Sequence, residues 1–163
     1  MPTATKAKDV QAEMGQLALE VKSPRDLMDR MVKRLHQRML KYNWVGFYML
    51  ETNPHPMLVL GEFQGAMTPH TRIPLHQGIC GAAASSGNTV VVNDVSQDPR
   101  YLACSLETKS EIVVPIFVHG KVVGELDIDS HFPAAFKDED RALVEYCARL
   151  VGASLERFSK PTA

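Results

Sequence analysis

Hydrophobic residues recur every three to four positions in three stretches of the chain, which is the spacing of a helix that buries one side. The stretches cover residues 9–20, 24–41 and 138–158. Before the second stretch, Ser23 followed by Pro24 is a helix start signal, and the basic residues opposite its apolar side indicate a solvated surface. We therefore predict two helices near the beginning of the chain and one long helix near its end.

Between these helices the hydrophobic period changes to two, which is typical of strands. The alternation predicts strands over 44–49, 57–64, 69–74, 89–93, 110–118 and 121–130, and a short alanine-rich helix over 77–87. Only His119 and Gly120 separate the last two strands, which therefore form a hairpin. Closely spaced hairpins favour an antiparallel sheet with helices grouped on one face, so the predicted fold class is an α+β sandwich.

The size and charge of the chain limit the number of domains and the classes of partner that we expect. A chain of 163 residues, 45% hydrophobic, predicts a single domain over 1–163, with N-terminal helices over 1–41 and a core over 42–158. The formal charge of -1 gives no electrostatic reason to expect nucleic acid or an anionic membrane as a partner. The first twenty residues carry charges throughout and no apolar signal segment, so we expect a cytoplasmic protein whose partners are small molecules or proteins.

Three cysteines are present, at Cys80, Cys104 and Cys147, in a spacing that matches neither a disulfide framework nor a zinc motif. Cys147 lies on the apolar side of the last predicted helix and is interpreted as a core residue. The six histidines are scattered, and His70, His76 and Cys80 have no metal-ligand spacing, so no metal site is predicted.

Cys80 and Cys104 are candidates for thiol chemistry. Cys80 lies at the start of the short helix, where the helix dipole lowers the pKa of a thiol, although a small residue could equally serve for packing there. Cys104 lies in the irregular stretch 100–109 between Arg100 and Lys109, where cations stabilise a reachable thiolate. The alternative for Cys104 is a buried loop anchor.

Three acidic residues, Glu125, Asp127 and Asp129, alternate with apolar or small residues along the last strand and therefore share one face of the sheet. Such a row can bind the amino group of a ligand while a crowded carboxyl with a raised pKa keeps a proton to donate. The alternative is a solvent-facing polar side of the strand. Of the three, Glu125 is interpreted as a bystander.

The position of Glu111 depends on the register of the hairpin. A tight turn at His119 and Gly120 alone places Glu111 opposite Ile128, on the face away from the other acids. A β-bulge between Pro115 and Gly124 reverses this and brings Glu111 to the acidic face.

Two aromatic residues, Trp44 and Tyr48, lie on one face of the first strand around Gly46. They can line a slot for a thioether or methyl group, or form ordinary core.

No P-loop, Rossmann fingerprint or nucleophile elbow is present in the sequence.

Several segments of the sequence resemble known protein families. Over almost the whole chain, four segments resemble the GAF domain in order and spacing. They are PLHQGICGAAASSG, VVNDVSQDPRY, EIVVPIFVHGKVVGELDIDS and AFKDEDRALVEYCARLVGASLE. Six shorter segments resemble, more specifically, free methionine-R-sulfoxide reductase, a stand-alone GAF enzyme. They are NWVGFYML, GEFQG, RIPLHQGICG, ACS, SEIVVP and LDIDS. The resemblance implies a GAF-type sandwich with a six-stranded sheet, reduction of free methionine sulfoxide without metal or organic cofactor, thioredoxin or another thiol as reductant, and a homodimer.

The resemblance also implies roles for individual residues. Cys104 matches the attacking cysteine, Cys80 the cysteine of the Gly-Ile-Cys-Gly segment, and His70 stands where the family usually has a resolving cysteine. The acidic pocket corresponds to Glu111, Asp127 and Asp129, and the aromatic wall to Trp44 and Tyr48. Without the usual resolving partner, oxidised Cys104 needs Cys80 or an external thiol. The alternative is a GAF binding module that keeps the pocket and has lost turnover.

Overall fold

Ten regular elements follow one another in the computed structural model, which describes residues 3–101 and 106–159. The helices are α1 (Thr3–Glu20), α2 (Pro24–Arg38), α3 (Gly78–Ser86) and α4 (Asp138–Phe158). The strands are β1 (Trp44–Glu51), β2 (Met57–Gln64), β3 (Arg72–Pro74), β4 (Val90–Val92), β5 (Ser110–Val118) and β6 (Lys121–Ser130). A 3-10 turn covers Val95–Gln97.

The six strands form one sheet in the order β3-β2-β1-β6-β5-β4, and every neighbouring pair is antiparallel. The central pair, β1 and β6, carries both aromatic residues and three of the acids, namely Glu125, Asp127 and Asp129. The predicted α+β sandwich with a mainly antiparallel six-stranded sheet is therefore confirmed.

The helices at the two ends of the chain pack on the same face of the sheet. On that face Leu126 and Ile128 of β6 are fully buried against helix residues such as Leu27, Leu35 and Val144. The opposite face is covered in part by α3, whose Ile79 and Ala83 belong to a second apolar cluster. The sheet thus separates a large structural core from a smaller face on which the acids lie.

Local hydrogen bonds set the starts of two helices. The Ser23 hydroxyl accepts a hydrogen bond from the Asp26 backbone N–H at 3.0 Å, which caps α2 as its start signal predicts. In α4, Asp140 accepts the Lys137 backbone N–H at 3.0 Å and the Tyr42 hydroxyl at 2.7 Å, so the same carboxylate ties α4 to the segment after α2. No helix in the described part of the chain combines the length and the apolar character needed to cross a membrane.

A β-bulge sets the register of the β5–β6 hairpin. Val118 pairs with Lys121 and Phe117 with Val122, but Ile116 pairs with Gly124, so Val123 is an extra residue in β6. Gly124 fits this position because a Cβ there would lie 2.7 Å from the Tyr48 carbonyl oxygen. The bulge lies in the predicted region between Pro115 and Gly124.

Candidate active site

The acidic residues form one buried row on the face of the sheet that α3 covers. The bulge places Glu111 directly opposite Asp129 and next to Asp127, while Glu125 continues the row along β6. Their exposed fractions are 5% for Glu111, 0% for Glu125, 2% for Asp127 and 3% for Asp129. The alternative of a solvent-facing polar strand is therefore wrong.

Burial changes the protonation of this row. Desolvation raises the pKa of Glu111 well above its ordinary value, and the nearby charges of Asp127 and Asp129 raise it further. The pKa of Asp129 is raised for the same reasons, by burial first and by Asp127 second. Burial also raises the pKa of Asp127, although hydrogen bonds from Glu111 and Cys80 oppose the shift. Burial and mutual repulsion therefore oppose full ionisation of the row.

Cys80 lies in the first turn of α3 with its thiol directed at the acids. Its Sγ–H donates to Asp127 Oδ2 at 3.3 Å, and the residue is 6% exposed. Burial raises the pKa of the Cys80 thiol well above its usual range, and the charges of Asp127 and Glu125 add to the increase. The prediction that the helix start lowers this pKa is wrong, because desolvation and neighbouring carboxylates outweigh the helix dipole.

Glu125 lies closer to the chemistry than its interpretation as a bystander predicted. It is 0% exposed, its carboxyl group lies beside the Cys80 thiol, and burial raises its pKa well above the ordinary value. Its alternation with Asp127 was visible in the sequence, but its contact with a helix residue far away in the chain was not.

The other two cysteines differ in what the structure describes. Cys147 is fully buried in the core formed by α1, α2 and α4, which confirms its interpretation as a packing residue. Cys104, the predicted nucleophile, lies outside the described residues. Of the two cations predicted to flank it, Arg100 forms an ion pair with Asp98 at 2.6 Å. Lys109 immediately precedes β5, and its backbone N–H donates to the Ser130 carbonyl of β6.

The aromatic residues stand beside the acids. Trp44 pairs across the strands with Asp129, and Tyr48 pairs with Glu125. Their ring centroids are 6.2 Å apart, and Trp44 also stacks on Phe63 at 5.8 Å. The predicted aromatic pair lies next to the acidic row and is called the aromatic wall below, and both rings belong to the buried apolar cluster on this face of the sheet.

Hydrogen bonds and a glycine hold this wall in place. The Trp44 indole N–H donates to the Ala66 carbonyl at 3.1 Å, and the Tyr48 hydroxyl donates to the His70 carbonyl at 2.6 Å. Between the two aromatic residues, a Cβ at Gly46 would lie 2.7 Å from Cζ3 of the Trp44 ring. The bare backbone of Gly46 therefore allows the indole to lie across the strand.

Two clefts open on the acidic row. The first is lined by Tyr48, His70, Cys80, Glu111 and Asp127. The second is lined by residues of the neighbouring loops together with two members of the site, namely Trp44 and Asp129. His70 thus borders the same cleft as Cys80.

A larger groove, of about 620 Å³, lies between α4 and β5, away from these clefts. Several of its polar side chains are already engaged within the protein. Glu145 accepts a hydrogen bond from Thr89 at 2.7 Å and pairs with Arg141 at 3.5 Å, and Glu156 accepts the His119 backbone N–H at 2.9 Å. Because this groove has no thiol among its lining residues, the cleft beside Cys80 is the better candidate for chemistry.

Comparison with known proteins agrees with this arrangement. The sequence pattern described as GAF domain matches residues 23–155. Free methionine-R-sulfoxide reductase of Escherichia coli is 39% identical over 128 residues, which cover 78% of this chain and 73% of the relative. The chain belongs to the GAF domain family, and within it to the free methionine-R-sulfoxide reductases.

Other members of this family show the same likeness. The enzyme of Saccharomyces cerevisiae is 42% identical over 113 residues, and the match spans 69% of this chain and 62% of the yeast protein. The crystal structure of free methionine-R-sulfoxide reductase from Neisseria meningitidis in complex with its substrate superposes with a TM-score of 0.90 at 33% identity. The superposition covers 96% of this chain and 92% of the Neisseria chain.

Proposed function

We propose that this protein reduces free L-methionine-(R)-S-oxide to L-methionine. The observation that carries the proposal is the buried row of Glu111, Asp127 and Asp129, which has no ion pair to Lys or Arg among the described residues. Buried carboxylates without a cationic partner are unfavourable, so the row favours a ligand that brings its own positive charge. The ammonium group of a free amino acid supplies that charge.

The aromatic wall accounts for the other end of the ligand. Trp44 and Tyr48 stand beside the acids, and a sulfur-bearing methyl group packs favourably against aromatic rings. A ligand held by its ammonium group at Asp127 or Asp129 thus has its sulfinyl group near this wall and near the first cleft. The arrangement favours a free amino acid over a methionine sulfoxide inside a peptide, which lacks the ammonium group.

In the proposed reaction the thiolate of Cys104 attacks the sulfoxide sulfur while a protonated carboxyl of the row donates to the sulfoxide oxygen. The oxygen passes to Cys104, which becomes a sulfenic acid, and the substrate sulfur gains two electrons to give methionine. Glu111 is a candidate donor because burial and its acidic neighbours raise its pKa. No metal or organic cofactor takes part in this scheme.

The second half of the cycle returns Cys104 to the thiol. Cys80 can attack the sulfenic sulfur, which forms a disulfide and releases the oxygen as water. Its proton has an acceptor at hand, since Cys80 already donates to Asp127. Thioredoxin or another thiol then reduces the disulfide, and the cytoplasm is the compartment in which such reductants are kept reduced.

Incubating the protein with free methionine sulfoxide and dithiothreitol tests the proposal. We expect methionine from the R epimer, a loss of at least roughly 100-fold of the rate in Cys104→Ser, since removal of a nucleophile can cost far more than this, and near wild-type rates in Cys147→Ala. N-acetylmethionine sulfoxide, which lacks the ammonium group, should be a poor substrate. Failure to form methionine, or full activity of Cys104→Ser, contradicts the proposal.

The same assay distinguishes the reductase from the alternative, a GAF module that binds its ligand without turnover. Binding of methionine without turnover by the wild-type protein would favour a module that has kept the pocket and lost the reaction. Activity with dithiothreitol but not with thioredoxin would show that the chain lacks a working thioredoxin-linked cycle. The homodimer implied by the family remains part of the proposal, and light scattering measures it.

A further inference from the structure

Three ligand atoms that suit a transition metal converge at the first cleft. Cys80 Sγ, one carboxylate oxygen of Glu111 and one of Asp127 all lie within 4.8 Å of one another, and all three residues are buried. They come from α3, β5 and β6, which explains why no spacing in the sequence reveals the group.

A second observation points to a missing cation at the same place. Asp127 Oδ1 and both carboxyl oxygens of Glu125 are buried and have no hydrogen-bond partner among the described residues. Glu125 is 0% exposed and lies beside the Cys80 thiol, so its carboxyl group is directed at the cluster. Buried polar atoms without a partner are rare in folded proteins and require an explanation, such as an ion or a ligand.

The ligand set selects the kind of ion. A thiolate together with carboxylates suits Zn²⁺, whereas Mg²⁺ and Ca²⁺ prefer oxygen ligands alone and Cu⁺ prefers sulfur. Zinc bonds of about 2.3 Å to sulfur and about 2.0–2.2 Å to oxygen separate the ligand atoms of a tetrahedral site by roughly 3.3–3.8 Å. Side-chain rotations that move these atoms by roughly an ångström would therefore close the three ligands around the ion.

We propose that Cys80, Glu111 and Asp127 bind Zn²⁺ in the reduced protein, with Glu125 or a water molecule as the fourth ligand. The Cys80 proton leaves as the zinc–sulfur bond forms, and no electrons are transferred. The ion occupies the part of the acidic row at which the ammonium group of methionine sulfoxide would lie, so the two exclude each other. The zinc site stands on the geometry, whereas this competition rests on the proposed function.

Isothermal titration of the full chain with Zn²⁺ tests the site. The protein is first stripped with a chelator and kept reduced with a phosphine, since dithiothreitol itself binds zinc. We expect one ion per chain, and binding at least roughly tenfold weaker in Cys80→Ser and in Asp127→Asn. Cys147→Ala should bind like the wild type, and circular dichroism melting verifies that each variant is folded. With Co²⁺ instead, a thiolate charge-transfer band should appear in the wild type and be absent in Cys80→Ser.

The outcomes separate this site from the proposed reaction. Absence of binding, or binding unchanged in Cys80→Ser, overturns the zinc site. Because zinc binding is measured without substrate and without turnover, a failed reductase assay does not affect the zinc result. If methionine binds the protein and yet leaves the zinc affinity unchanged, the competition is overturned.

Discussion

Gly46 determines how the indole of Trp44 meets the acidic row. A side chain at this position would collide with the ring at 2.7 Å and would lie 3.0 Å from Phe63 Cβ. The neighbouring strand places Asp127 opposite Gly46, so the bare backbone leaves room beside that carboxylate as well. A single hydrogen atom in place of a methyl group thus sets both the aromatic wall and the space beside the acid.

Replacing Gly46 with Ala should displace the indole and weaken methionine binding. We expect a loss of about 1–3 kcal/mol in the free energy of unfolding, as for overpacking in a core. Trp44 is the only tryptophan of the chain, so its emission spectrum reports the displacement directly. Gly61→Ala is the matched control, because a Cβ there meets only the Phe47 carbonyl, at an ordinary 3.5 Å. An unchanged spectrum in Gly46→Ala would show that the glycine does not position the ring.

The site was predictable from the sequence where it depends on strand alternation, and not where it depends on contacts between distant elements. Alternation placed Asp127 and Asp129 on one face, and Pro115 with Gly124 pointed to the bulge that adds Glu111. The raised pKa of Cys80 could not be predicted in the same way. It arises because α3 packs over the acids, and the local sequence of a helix start carries no information about that contact.

At the scale of elements, the contact between α4 and β5 holds the bulged hairpin against the structural core. Gly152 of α4 lies against the backbone of β5, and a Cβ there would be 2.5 Å from the Phe117 carbonyl oxygen. Phe117 stands at the register shift of the hairpin, next to the extra residue Val123. The helix therefore packs directly on the irregularity that sets the register of the acids.

Two glycines in helix interiors should respond differently to the same substitution. Alanine at Gly152 meets backbone that cannot move independently, so we expect a loss of about 1–3 kcal/mol in the free energy of unfolding. Alanine at Gly15 of α1 meets only the Tyr146 side chain, with the hydroxyl oxygen at 2.7 Å, and a tilt of this partly exposed ring moves the oxygen away. The higher helix propensity of alanine, about 0.5–1 kcal/mol, should then leave Gly15→Ala near neutral or stabilised. Urea denaturation measures both values, and equal losses would contradict the difference in contacts.

Element ends were harder to predict than element types. The helix predicted over 9–20 begins at Thr3, and the one predicted over 24–41 ends at Arg38. After Arg38, Met39 takes an extended backbone and Tyr42 turns back to donate to Asp140 of α4. A tertiary hydrogen bond to a helix almost a hundred residues away accompanies that end, and hydrophobic periodicity does not register such a partner.

At the scale of the whole molecule, the two faces of the sheet divide stability from binding. The face under α1, α2 and α4 is apolar and fully buried, as in Val45, Phe47 and Leu126. The other face buries acids, and this burial disfavours their ionised form, as the raised pKa values of Glu111 and Asp129 show. The acids therefore destabilise the folded protein relative to an apolar face, and a cationic ligand relieves this.

Methionine should consequently stabilise the whole protein, and its ammonium group should be responsible. At 100 times its dissociation constant, L-methionine should add about 2.7 kcal/mol to the free energy of unfolding, which a thermal melt detects. N-acetyl-L-methionine has the same side chain without the positive charge, so it should produce little shift.

The Asp127→Asn variant should lose most of the response to L-methionine, because the amide cannot pair with the ammonium group as a carboxylate does. Equal shifts with the two ligands would instead place the binding energy on the aromatic wall. The apolar half of the ligand would then be what the buried face recognises, and the acidic row would need another cation to balance it.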